Sequence, residues 1–303
     1  MEWSRAMQRA LYEPGGFYVT QEPRRHFDTS AQSTLFAQAI AQLARDIDTR
    51  LHRPDRFMLV DMGAGAGELL TNVLAHDDLD GRLAPVGVDL RPRPPLDLRI
   101  EWRHNPPDDV VGLIVACEWL DNVPIDIAVR DSNGHARMQL VDPITGETSL
   151  GEAVTGPQLE WLAQWWPTGR IAEVGIPRDR AWASLTRRLR YGCALAVDYG
   201  HTAADRPSAG TLTGYLEGKQ TEPIPDGSCD ITAHVAFDSL GPGTITTQEK
   251  ALRSLGIDGA RPDLELARND PGAYLGQLST ASEAARLTDS GGLGRHLWLR
   301  HDK

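Results

Sequence analysis

The chain has 303 residues, 41% of them hydrophobic and 24% charged, with a formal net charge of −11. That length suits one large α/β domain or a domain with an accessory cap, and no window approaches the roughly eighteen consecutive apolar residues of a membrane span. The acidic balance argues against a nucleic-acid backbone as the main partner, and three scattered cysteines (Cys117, Cys193 and Cys229) point to neither a disulfide framework nor a metal site.

The N-terminal MEWSRAMQRALYEPGGFY has no apolar leader core, so a cytoplasmic location is expected. It reads as a short helix followed by a Gly, Pro and aromatic-rich loop. Over residues 30–48, Leu35, Ile40, Leu43 and Ile47 recur at helical spacing, widened by Phe36 and Ala39, with Asp28, Thr29 and Ser30 as N-cap candidates. Residues 1–52 are therefore expected to form an N-terminal helical cap. The run from Phe57 to Gly63 predicts a buried parallel strand, followed by a glycine turn, a helix from about Glu68 to His76, and a second strand ending at Asp89. RIEWRH and GLIVACEWL read as further strands. This alternation predicts a doubly wound, mostly parallel Rossmann-like sheet over residues 53–303. Insertions are expected at about 125–190 and 201–230. The first holds a hairpin with Asn133-Gly134 in its turn, then helical sequence over 157–190 interrupted by IAEVGIP. CALAVDYG is the next core strand, the Gly- and Pro-rich 201–230 reads as a substrate-side loop, and helices at 247–255 and 271–287 precede a last strand in RHLWLRH.

The stretch from Leu59 to Gly67 carries the chemistry. A strand ending in an acid, then Gly63, Gly65 and Gly67, then a helix, suits a nucleoside lying across strand ends. A dinucleotide fingerprint would place its third glycine at position 68, which is Glu68, and a glutamate at a helix entrance disfavours a pyrophosphate. S-adenosylmethionine carries no phosphate and fits better. Asp61 is placed for its ammonium and Asp89 for its ribose hydroxyls. The bland alternatives are a tight turn without a ligand and a solvated acid before Arg91-Pro92-Arg93-Pro94.

Several segments together resemble the MidA-like class I methyltransferases, which include the mitochondrial complex I assembly factor that methylates an arginine. They are ALYEPGGFY (10–18), HFDTS (26–30), VDMGAGAGEL (60–69), CEWLDNVP (117–124), VDYG (197–200), GTLTGY (210–215), CDITAHVAF (229–237) and GGLG (291–294). The resemblance implies a class I methyltransferase fold, S-adenosylmethionine as cofactor, and arginine in a protein as the favoured acceptor. The chain departs from the pattern at Cys117, at Pro23-Arg24-Arg25 and at Ala31-Gln32, which puts the identity of the acceptor in question.

Methyl transfer from a sulfonium is an in-line displacement, so the protein mainly positions the acceptor and stabilises changing charge. A guanidinium is held well by carboxylates. Glu118, following the fourth strand, is the first candidate for both acceptor and cofactor, and Asp121 the second, sharing a face with it if a helical turn begins there. The alternative is that Asp121 caps a turn and Glu118 serves only the cofactor. Asp198 and Tyr199 end a core strand, and His234 is read as a histidine at a helix start, so these three are candidates for the acceptor side, with structural roles equally open. His26, Asp28, Thr29 and Ser30 could fold over the cofactor. Trp161, Trp165 and Trp166 could recognise a cation, although packing is the better reading. No metal is expected. The partner expected is an unidentified protein substrate, with a homodimer left open and a small-molecule acceptor or a non-catalytic assembly role as rivals.

Overall fold

A computed structural model describes residues 1–21, 29–76 and 79–303. His26 and Asp28, expected to fold over the cofactor, lie outside the described residues. The chain divides into two compact units, one comprising Thr29–Cys117, Thr186–Val197 and Gly243–Lys303, the other Met1–Asp28, Glu118–Leu185 and Asp198–Pro242.

The first unit is built on a seven-stranded sheet. Its strands are β1 (Phe57–Met62), β2 (Leu83–Val88), β3 (Glu101–Arg103), β4 (Val110–Cys117), β5 (Leu189–Asp198), β6 (Thr244–Thr247) and β7 (Leu297–Asp302), in the order β6-β7-β5-β4-β1-β2-β3. The pairs β1/β2, β2/β3, β1/β4 and β4/β5 are parallel, whereas β6 and β7 run antiparallel. The order reverses between β1 and β4, and such a switch point opens a crevice at the strand carboxyl ends. Strands buried on both faces read as continuous apolar runs, which is why β1, β4 and β5 were legible. The strand expected through Leu120 instead ends at Cys117, and β6, too polar and short to stand out, was not foreseen.

The helix foreseen at 30–48 spans Thr34–Arg50 and packs within this unit's core, not in a separate N-terminal cap. Its N-cap is Ser33, whose hydroxyl accepts the Phe36 N–H. Ser30 instead belongs to a short 3-10 turn and pairs with Gln248. Buried Gln248 also accepts the Trp298 indole N–H at 3.2 Å and donates to the Leu287 carbonyl at 3.2 Å, so a polar side chain in the core is fully satisfied. Phe36 meets Trp298 edge to face, with ring centroids 5.8 Å apart.

The second unit carries an antiparallel four-stranded sheet, ordered Thr148–Ala153, Ala136–Val141, Asp126–Arg130, Ile171–Val174. The Asn133-Gly134 hairpin is present as expected, but the flanking strand Thr148–Ala153 is largely exposed and gave no apolar signal. The N-terminal helix Trp3–Tyr12 buries Trp3, Met7 and Leu11 against Ile125, Ile127 and Ile231. The segment read as a loop at 201–230 is partly a sheet: Lys219–Thr221, Thr213–Leu216 and Asp230–Thr232 pair antiparallel.

Candidate functional site

β1 delivers Asp61 to its carboxyl end, and the chain then turns through Gly63, Gly65 and Gly67 at φ of 69°, 62° and 79°. Glycine takes this left-handed backbone without a Cβ penalty, and at Gly67 a Cβ would also fall 2.7 Å from Leu96 Cδ1. The turn is docked on β2 because the N–H groups of Gly63 and Ala64 both donate to the Val88 carbonyl, at 2.9 and 3.1 Å. Asp89, the residue after β2, accepts the Gly65 N–H at 2.9 Å. It also accepts the Arg91 backbone N–H at 2.9 Å and the Arg91 guanidinium at 3.1 and 3.3 Å. Glu68 opens the following helix and accepts the Ala66 N–H at 3.1 Å.

Asp61 is 4% exposed, and burial first, then the charges of Asp89 and Glu68, push its carboxyl up to about 8. Asp61 and Glu68 set at a glycine turn disfavour a pyrophosphate and favour a ligand bearing an ammonium. A nucleoside with an amino-acid tail, as in S-adenosylmethionine, meets that demand: Asp61 would face the ammonium and Asp89 the ribose, while the glycines allow close approach. Gly63, Gly65, Gly67, Asp61 and Asp89 are thus brought together within one unit, joined by Glu68 and Arg91, which sequence reasoning left as a negative argument and a turn residue.

Glu118 belongs to the other unit, and its φ is 50°. A left-handed glutamate costs roughly 1–2 kcal/mol, and such strain clusters at functional positions. No helix begins at Glu118, so it and Asp121 do not share a helical face as anticipated. The turn is held by Asp198, whose Oδ2 accepts the backbone N–H groups of Trp119, Leu120 and Asp121 at 3.2, 3.0 and 3.2 Å. Its Oδ1 accepts the Tyr199 N–H at 2.9 Å. Asp198 is fully buried, and these contacts make it the anchor of the turn, the structural of the two roles left open for it. Burial, Asp121 and Glu118 raise its pKa, against the pull of Arg178 and the backbone donors.

Asp121 is also buried, with Oδ2 accepting the Thr232 hydroxyl at 2.8 Å and Oδ1 without a partner among the described residues. Burial raises its pKa. Beside it, Asn122 accepts the Tyr18 hydroxyl at 2.8 Å and donates to Asp230 at 3.0 Å. Burial and Asp121 push Asp230 up to about 7. The cation among these acids is Arg178, only 2% exposed, which donates to the carbonyls of Asp121 and of His234, the latter at 2.8 Å. Nothing in the sequence singled out Arg178, since an arginine beside Asp179 and Arg180 looks like surface charge.

Tyr199 stacks on His234 with centroids 6.0 Å apart and planes 20° from parallel. Burial, then Glu118 and Asp121, raise the Tyr199 pKa. His234 lies between the short strands Asp230–Thr232 and Val235–Ala236, not at a helix start. Nearby His201 accepts from Arg206 at 2.8 Å, and burial together with that positive charge lowers its pKa to about 3. The tryptophans are packing residues. Trp161 and Trp166 are buried, Trp161 donates to Asp179 at 2.7 Å, and the cation over Trp166, at 5.1 Å, is the protein's own Arg206. Trp165 is partly buried against the same cluster. Among the described residues no group of His, Cys, Asp and Glu could hold a metal ion, and no helix is long and apolar enough to cross a membrane.

The sheet order, with its switch point beside a glycine turn and an acid after the second strand, defines a Rossmann-like methyltransferase fold. Residues 77–257 match the model of the family described as "Putative S-adenosyl-L-methionine-dependent methyltransferase", and the chain belongs to that family. The matched span begins after the glycine turn. The chain is similar over its whole length to a candidate methyl transferase of Burkholderia thailandensis bound to S-adenosyl-homocysteine, with 23% identity, 88% of that chain covered and a TM-score of 0.81. A second Burkholderia thailandensis structure, of an uncharacterised protein, has 23% identity, 87% coverage of that chain and a TM-score of 0.79. No curated protein matches the sequence.

Proposed function

We propose that this S-adenosylmethionine-dependent methyltransferase modifies a protein side chain, with arginine as the acceptor, in the manner of the MidA-like enzymes it resembles. The observation that carries the reading is Glu118: a carboxylate set at a left-handed position on a turn that Asp198 clamps from below. Of the three acids gathered here, Asp121 and Asp198 are buried, whereas Glu118 is partly exposed. S-adenosylmethionine supplies an electrophilic methyl group on its sulfonium. Glu118 holds the guanidinium by charge-assisted hydrogen bonds and keeps electron density on the reacting nitrogen. Asp121 acts by fixing the turn through Thr232 and not by touching the acceptor. Tyr199 and His234, stacked on one another, form an adjacent aromatic surface for the acceptor's stem. The net charge of −11 favours a basic partner.

The test is transfer of tritiated methyl from S-adenosylmethionine into a desalted lysate of the source organism lacking this gene. A protease-sensitive labelled band, absent with Glu118→Gln, is the expected result, and acid hydrolysis should place the label on methylarginine. Label confined to small molecules would overturn the protein acceptor, and label on another residue would overturn arginine.

A further inference from the structure

Asp89 is a saturated carboxylate. Its two oxygens offer about four lone-pair sites, and four donors occupy them. Two are backbone N–H groups, from Gly65 on Oδ2 and Arg91 on Oδ1, each at 2.9 Å. The other two come from a single side chain: Arg91 Nε on Oδ1 at 3.1 Å and Nη2 on Oδ2 at 3.3 Å. The backbone pair is shorter and fixed by the turn, whereas the guanidinium fork is longer and movable, with the Arg91 side chain 27% exposed and that of Asp89 10% exposed. Withdrawing the fork would release one acceptor site on each oxygen. That is the demand of a vicinal diol, which presents two hydroxyl donors side by side.

We propose that Arg91 is an internal competitor for the ribose diol, occupying the two acceptor sites of Asp89 that a nucleoside cofactor needs and so setting the protein's affinity for it. This rests on the cofactor reading above and adds to it a residue that weakens binding. The guanidinium also lies over the glycine turn, since a Cβ on Gly65 would stand 3.7 Å from Arg91 Nη2. A ribose reaching Asp89 therefore displaces the fork from both partners. The backbone around Arg91 stays in place during the exchange, because its carbonyl accepts the Trp102 indole N–H at 3.1 Å and its N–H remains on Asp89. The movement required is of the side chain alone.

The test is equilibrium binding of S-adenosylhomocysteine to the full-length protein by calorimetry, comparing wild type with Arg91→Met, which keeps the apolar stem and removes the fork. Exposed or half-exposed ion pairs are worth up to about 1 kcal/mol, so the variant should bind about two- to fivefold more tightly. Asp89→Ala should weaken binding, and Arg91→Met should give no tightening on that background, because no carboxylate remains to compete for. Equal affinity of wild type and Arg91→Met would overturn the competitor role while leaving the cofactor reading intact. Weaker binding by Arg91→Met would show that Arg91 assists the cofactor, and would overturn the proposal too. Absence of binding by every variant and by the wild type would overturn both readings.

Discussion

Arg178 donates to the backbone carbonyl of Asp121 and not to its carboxylate, although both groups are buried in the same cluster. The arginine thus satisfies the main-chain carbonyls of Asp121 and His234 while its charge offsets Asp121, Asp198 and Glu173, each of which acts on its ionisation. Burial lowers its pKa, and those three acids oppose that shift without cancelling it. One cation therefore does two tasks, and removing it should leave carbonyls unpaired and carboxylates uncompensated together.

Arg178→Met is accordingly expected to lose about 3–5 kcal/mol of stability, the range for breaking a buried charge arrangement by removing one partner. Urea unfolding followed by tryptophan fluorescence measures it directly. A loss below about 1 kcal/mol would mean that the acids around it are protonated in the folded protein and need no counter-charge.

Asp198→Asn addresses the same cluster from the other side. Asp198 accepts four backbone N–H groups, three on Oδ2 and one on Oδ1, so the group acts as an acceptor. An asparagine keeps one acceptor oxygen and turns an NH2 group towards the remaining N–H, a donor against a donor. The expected cost is about 1–3 kcal/mol in denaturant unfolding. A neutral substitution would show that the aspartic acid already carries a proton.

The sheet was legible because its buried strands are unbroken apolar runs and the left-handed turn after its first strand needs glycines at fixed spacing; both constraints are local in sequence. Gly63, Gly65 and Gly67 therefore appeared with their partner Asp89 in view. The cluster proposed for the acceptor side was only half legible. Glu118, Asp121, Asp198, Tyr199 and His234 could be named, but which of them is buried depends on contacts such as Asp198 with Leu120, 78 positions apart. Arg178 and Asn122 could not be found at all, since their role is to satisfy groups that become neighbours only on folding. For the same reason Arg91 read as a turn residue: nothing in Arg91-Pro92-Arg93-Pro94 says that its guanidinium folds back onto Asp89.

Asp61 predicts a pH signature. Burial, then the charges of Asp89 and Glu68, push its folded-state pKa up to about 8 from an ordinary aspartate value of about 3.9. Between those values the native state holds one proton more than the unfolded chain, so stability should fall as pH rises from about 4 to about 8. Asp61→Asn should remove that part of the slope and make the protein relatively more stable at pH 8. An ammonium placed against Asp61 would favour its ionised form, so binding of S-adenosylhomocysteine at pH 7 should release close to one proton. Calorimetry in buffers of different ionisation enthalpy reads that proton, and no release would place the ammonium elsewhere.

Glu118 allows strain and chemistry to be separated with two substitutions. Glu118→Gly relieves the left-handed backbone at φ 50° and should stabilise the protein by up to about 1 kcal/mol, less the entropy that glycine adds to the unfolded chain. Glu118→Gln keeps the strain and the shape but removes the charge, and should leave unfolding within about 0.5 kcal/mol of wild type. Both should depress methyl transfer by at least about tenfold if the carboxylate holds the acceptor, because a charge-assisted hydrogen bond is worth about 1.5–3 kcal/mol. Thermal unfolding and single-turnover transfer, measured on the same preparations, give the two axes. A Glu118→Gln variant with wild-type turnover would remove Glu118 from the acceptor site. A Glu118→Gly variant less stable than wild type would mean that contacts of the side chain outweigh the strain, so that its conformation serves the fold and not the reaction.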